Sequence, residues 1–207
     1  MKVAAEGDSG DKLKLCAQLV GETIFAVEGM TTALRGGLLM LQIQGVKLPR
    51  PVVNGKAEKK RLKDQSLANL LNVAGQLPGV ITEKDIPPQA KFQDGLRDEL
   101  KEADKQLMSG VEKGEIARLK RNALVHSHWY RSDPFGKGEV GLYRSKLAEG
   151  ASRPAEFTLE TPDTLGSYKS IADEASSLCA RALRAYLLVI TGAGTIPLAQ
   201  PQSGAFN

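Results

Sequence analysis

Residues 11–44 read DKLKLCAQLVGETIFAVEGMTTALRGGLLMLQIQ. Leu13, Cys16, Leu19, Val20, Ile24, Val27, Thr31, Leu34, Leu38 and Leu41 recur at three- and four-residue steps. That interval matches the turn of an α-helix and draws one apolar stripe along it. Such a helix is stable only when its stripe is covered by other elements, so the first element predicts a helical bundle. Glycines at 21, 29, 36 and 37 each cost up to about 1 kcal/mol in a helix interior. They predict close packing points, or a kink near Gly36 and Gly37.

Further along, Gly45, Pro49, Pro51 and Asn54-Gly55 mark a loop over 45–56. A second helix is predicted over 57–77, with Leu62, Leu67, Leu70, Leu71 and Val73 as its apolar side and Pro78-Gly79 as its stop. A third starts near Pro88 and carries Phe92, Leu96, Leu100, Ala103, Leu107 and Val111; Gly110 and Gly114 predict its end or a bend. A fourth follows over 115–130. Residues 131–160 are richer in glycine and alternate in short runs, predicting strands at 139–146 and 155–160 in a small hairpin or flap. Thr161-Pro162-Asp163 opens the last helix: Thr as cap, Pro in the first turn, Asp at the positive end. The expected fold is all-α: an antiparallel four- to five-helix bundle over 11–192, with a β-hairpin inserted before the last helix. Residues 1–10 are expected to be disordered, and 193–207 a flexible tail.

The 207 residues suit one such domain. Hydrophobic residues make up 42% and charged residues 25%, an ordinary globular balance. No uninterrupted apolar run approaches the roughly 20 residues of a membrane span, and the N-terminus has no secretory pattern. A cytoplasmic protein without membrane association is expected. Cys16 and Cys179 read as buried free thiols. No phosphate-binding GxxxxGK[ST] loop, GxSxG elbow or zinc-ligand spacing occurs, so neither cofactor nor metal is expected.

The net charge of +4 is unevenly spread. Residues 47–63 hold seven Lys or Arg against one acid, Glu58; residues 118–146 hold seven against Asp133 and Glu139. Each local excess is larger than that of the whole chain, so the remainder is net acidic. Lys59, Lys60 and Arg61 are either a solvated helix face or an RNA contact, and Lys120 and Arg131 are the matching candidates in the second patch.

That second patch contains ARLKRNALVHSHWY, residues 117–130, with both histidines of the chain, His126 and His128, and its only tryptophan, Trp129. At about 100° per residue, Glu115, Arg118, Asn122 and His126 share one helical stripe beside Ile116, Leu119 and Ala123. Arg121 lies roughly 140° around the helix from His126. The two cannot meet on one regular helix unless it distorts, the Arg reaches around, or a second subunit completes the cleft. Imidazoles exchange protons near neutral pH, and a guanidinium is a permanent, planar cation suited to phosphate. His126-x-His128 alone does not make a metal site. Trp129 reads as a packing anchor under the hairpin more readily than as a base-stacking platform.

Arg121-Asn122-Ala123-Leu124-Val125-His126 resembles the RxxxxH signature of HEPN proteins, including a polar residue just after the arginine. The layout is also similar: a long first helix, the motif near the end of a later helix, a Trp, a turn and a final long helix. The resemblance spans residues 11–192 but not the 131–160 insertion. It implies a metal-independent endoribonuclease, toxin-like or defence-related, acting as a homodimer on RNA. Arg121, Asn122 and His126 would be catalytic, with Glu115, Arg118 and His128 in support. An antitoxin or regulatory protein would be a further partner. The alternative is a catalytically inactive relative that binds RNA, nucleotide or a partner protein.

Overall fold

The computed structural model describes residues 3–53, 56–57, 61–82, 95–130, 141–145 and 157–192. Three long helices dominate it: α1 (Val3–Ile43), α3 (Leu96–Val125) and α4 (Pro162–Thr191). A shorter α2 spans Leu67–Gly75. Two short strands, β1 (Val52–Val53) and β2 (Lys56–Ala57), pair antiparallel. Strands β3 (His128–Tyr130), β4 (Leu142–Ser145) and β5 (Phe157–Glu160) form a three-stranded antiparallel sheet in that order. The fold is mostly helical with a small β insertion.

The chain divides into two units, Met1–Met30 with Glu112–Ser176, and Thr31–Val111 with Ser177–Asn207. Each long helix contributes residues to both. In the first unit, Cys16 of α1, Leu124 of α3 and Leu165 of α4 form a buried cluster, with Leu19, Val20, Trp129, Leu142 and Tyr168 packed on it. In the second, Leu34, Leu38 and Leu41 of α1, Leu70 and Leu71 of α2, Leu107 of α3 and Tyr186 of α4 are fully buried. The apolar stripe of residues 11–44 is thus the buried side of α1.

The sequence expectations need four corrections. The third and fourth helices are one: α3 runs through Gly110 and Gly114 without a break. The glycine at 110 serves packing, because a Cβ there would lie 2.7 Å from Cys179 Sγ and 3.0 Å from the Cys179 backbone nitrogen. Gly37 plays the same part, where a Cβ would meet Leu183 Cδ1 at 2.6 Å, whereas Gly21, Gly29 and Gly36 face open space. The second helix begins ten residues later than expected. Lys56–Ala57 are strand, Leu62–Asp64 form a single 3-10 turn, and Ser66 Oγ caps α2 by accepting from Asn69 N–H at 3.3 Å. The hairpin is a three-stranded sheet, because His128-Trp129-Tyr130 leave the helix and pair with β4. Finally, α1 begins at Val3, within the stretch expected to be disordered. The expected start at Pro88 and the tail after 192 lie outside the described residues.

Between Gly10 and Ile43, α1 is long and apolar enough to cross a membrane by length and composition, with a mean hydropathy of 1.3 in its best window. Counting uninterrupted apolar runs overlooks this, because glycine and threonine dilute the run without adding charge. Cys16, Val27, Met30, Leu34, Leu38 and Leu41 of this helix are buried. Both cysteines are free and buried, and burial pushes the Cys179 thiol up to about 12. The expected start of α4 is observed: Thr161 and Thr164 cap each other reciprocally, Thr161 N–H donating to Thr164 Oγ1 at 2.7 Å and Thr164 N–H to Thr161 Oγ1 at 3.3 Å.

Gly110→Ala should destabilise the protein by about 1–3 kcal/mol, since overpacking against a neighbouring backbone outweighs the gain in helix propensity. Gly36→Ala should stabilise it, by up to about 1 kcal/mol. Urea unfolding of the two variants checks both signs.

Candidate functional site

The C-terminal end of α3 carries the residues singled out from the sequence. Within the first unit, its inward side is set by Ala117 and Leu124, both buried. Arg121 lies between these two on the helix and turns the same way. Its Nη2 donates to Glu28 Oε1 of α1 at 2.8 Å and its Nη1 to Asn122 Oδ1 at 3.4 Å. Its Nε is buried with no hydrogen-bond acceptor. The guanidinium is thus largely engaged within the chain.

The outward side is different. Ile116 and Leu119 are 40% and 58% exposed, so among the described residues these two apolar side chains near Asn122 and His126 are left largely uncovered. Arg118 Nε donates to Glu115 Oε2 at 2.7 Å along the same side. His126 follows the last helical residue, its backbone N–H donating to Asn122 O at 3.0 Å, and its side chain is exposed. The angular separation of Arg121 and His126 is therefore retained in the structure: one is turned toward α1, the other toward solvent.

Helix α3 stops here for local reasons. Its last carbonyls lack partners along the helix. Ser127 Oγ donates to Ala123 O, and the Trp129 indole N–H donates to Leu124 O at 3.0 Å. Trp129 also packs on the Cys16–Leu124–Leu165 cluster, which leaves its ring half-buried. His128 is exposed on β3, opposite Ser145 of β4. Lys120 Nζ sits 4.6 Å from the Tyr168 ring centre, a cation–π contact. Arg61 lies in the second unit, and Lys59, Lys60 and Arg131 lie outside the described residues.

Among the ion pairs that escaped the sequence reading, two lie near this end of α3 or in the sheet that follows it. Glu28 is 93 residues from Arg121, and nothing local marks it as that residue's partner. Arg144 Nε donates to the wholly buried Glu160 at 2.5 Å, tying β4 to β5 where they pair. The second oxygen of Glu160, Oε2, is buried with no hydrogen-bond donor. Among the described residues no group of three or more His, Cys, Asp or Glu is placed to hold a metal ion.

No protein-family model, curated protein or solved structure matches the chain. The likeness to HEPN proteins stands on the RNALVH hexapeptide and the helical layout.

The two pairs should differ sharply on truncation. Glu160→Ala leaves Arg144 largely buried without its carboxylate and should cost about 3–5 kcal/mol. Glu28→Ala breaks a half-exposed pair and should cost less than about 1 kcal/mol. Thermal unfolding of both variants gives the comparison.

Proposed function

We propose that this protein is an endoribonuclease of HEPN type that works as a homodimer joined through the outward face of α3. The observation that carries the reading is the exposure of Ile116 and Leu119 beside the stripe of Asn122 and His126. A symmetric partner laid on that face would remove both apolar side chains from water. It would also bring the outward residues of the two RNALVH ends, Asn122 and His126 with Arg118 a turn earlier, together in one cleft.

The chemistry needs only these side chains and the RNA. The His126 imidazole accepts the proton of a ribose 2′-hydroxyl, and the freed oxygen attacks the adjacent phosphorus. The bond to the 5′-oxygen breaks, and that oxygen takes a proton from the imidazolium. The products are a 2′,3′-cyclic phosphate and a 5′-hydroxyl end. Arg118 or Arg121 neutralises charge gathering on the phosphate oxygens. For Arg121 the phosphate must compete with Glu28. Asn122 orients the imidazole or the phosphate, and Lys120 and His128 flank the approach. The toxin-like or defensive setting, the cytoplasmic location and an antitoxin or regulatory partner follow from the resemblance alone.

A second reading, an RNA- or nucleotide-binding relative without catalysis, is favoured by one observation: Arg121 already has a carboxylate partner in its own chain. Incubating RNA with the protein in EDTA separates the two. Wild type should generate cyclic-phosphate ends and His126→Ala should lose at least about a hundredfold in rate, the usual share of an acid–base group. Cleavage by both proteins, or by neither, would sink the catalytic reading. Sedimentation equilibrium should show a wild-type dimer and a Leu119→Glu monomer; a wild-type monomer would remove the proposed interface.

A further inference from the structure

A separate feature lies in the second unit, away from the RNALVH segment. The chain leaving α1 and the chain entering α2 enclose a cleft of about 730 Å3. That volume falls within the roughly 300–1,000 Å3 typical of small-molecule sites. Lys47, Arg50 and Arg61 line it, together with Gln42 and Gln65, and among the described residues no acidic side chain does. Among the described residues, none of the three cations is paired with a carboxylate.

One wall is built rather than incidental. Gln65 is only 3% exposed and its Oε1 accepts from Asn69 Nδ2 at 2.6 Å. Behind it, Arg35 Nη2 donates to the Gln65 carbonyl at 3.3 Å, and Arg35 Nε is buried with no acceptor. A fourth positive charge without an acidic partner therefore backs the same wall. Like charges gathered this way repel one another, and an anion in the cleft relieves that repulsion.

We infer that this cleft binds a small phosphate-rich anion through Lys47, Arg50 and Arg61. The lining favours a phosphate chain over a nucleic-acid strand. Among the described residues it contains no aromatic side chain, and strand-binding surfaces rely on aromatic rings to stack successive bases. Pro49, Pro51 and Leu62 supply apolar walls that can rest against an attached group without reading its hydrogen-bonding edges. The number of phosphates decides affinity, and the nature of what they are attached to matters little. The site is independent of the proposed cleavage centre.

Titration calorimetry with the full chain tests it, using inorganic tripolyphosphate, a nucleoside triphosphate, orthophosphate and a single-stranded RNA oligonucleotide. Tripolyphosphate and the nucleoside triphosphate should bind with affinities within about threefold of each other, and orthophosphate at least about tenfold more weakly. Arg50→Gln and Arg61→Gln should each weaken tripolyphosphate binding by about tenfold or more, with unchanged thermal unfolding in the absence of anion. His126→Ala should bind tripolyphosphate like the wild type, which keeps this test apart from that of the nuclease. Binding untouched by the two arginine substitutions, or no binding of either triphosphate, would overturn the assignment. So would RNA binding that requires Arg50 and Arg61 while tripolyphosphate fails to bind, since the patch would then be a strand surface.

Discussion

The close approach of α3 to α4 at Gly110 is the constraint on which the second unit turns. A hydrogen at this position lets the Cys179 backbone come within a distance that any Cβ would obstruct. Gly37 does the same for α1 against Leu183. Two glycines on different helices thus meet the same stretch of α4. The helix-propensity cost of each is about 1 kcal/mol, and it is offset by the packing that the approach permits. Cys179 and Tyr186, seven residues apart on α4, are buried beside these contacts. Burial and the Asp104 carboxylate, which accepts a hydrogen bond from the Tyr186 hydroxyl at 2.5 Å, both push the Tyr186 hydroxyl well above its ordinary range.

The first unit is held in a different way. Its core cluster is small, and polar contacts supply much of its definition. The Trp129 indole closes the end of α3, Cys16 Sγ lies 3.7 Å from the Glu160 carbonyl, and the Arg144–Glu160 pair locks the sheet. A buried pair with an unsatisfied oxygen is a poor source of stability. In the observed register it joins Arg144 of β4 diagonally to Glu160 of β5. The same sheet carries β3, which follows directly on the end of α3.

The contrast between the two sides of α3 governs what this end can do. Inward residues are consumed by the fold: Arg121 is held by Glu28 and Asn122. Outward residues are free of it: Ile116, Leu119 and His126 face solvent. A catalytic centre assembled from both sides of one helix needs a second surface.

Periodicity made the long helices readable, because a stripe repeated over many turns reports burial whichever neighbour provides it. The Thr161-Pro162 start of α4 was readable too, since a cap is a contact between residues three apart. Gly110 was not, because a glycine that ends a helix and one that admits a neighbouring backbone look alike until the neighbour is known. Strand β3 was missed for a similar reason: Trp129 and Tyr130 fit either a helix end or a strand, and the partner strand β4 decides between them. At the candidate site, the resemblance to HEPN proteins named Arg121, Asn122 and His126, and helical spacing placed Arg121 away from His126. Which side of α3 faces inward, and that Glu28 engages Arg121, depend on packing between residues far apart in the chain, and local patterns carry no trace of it.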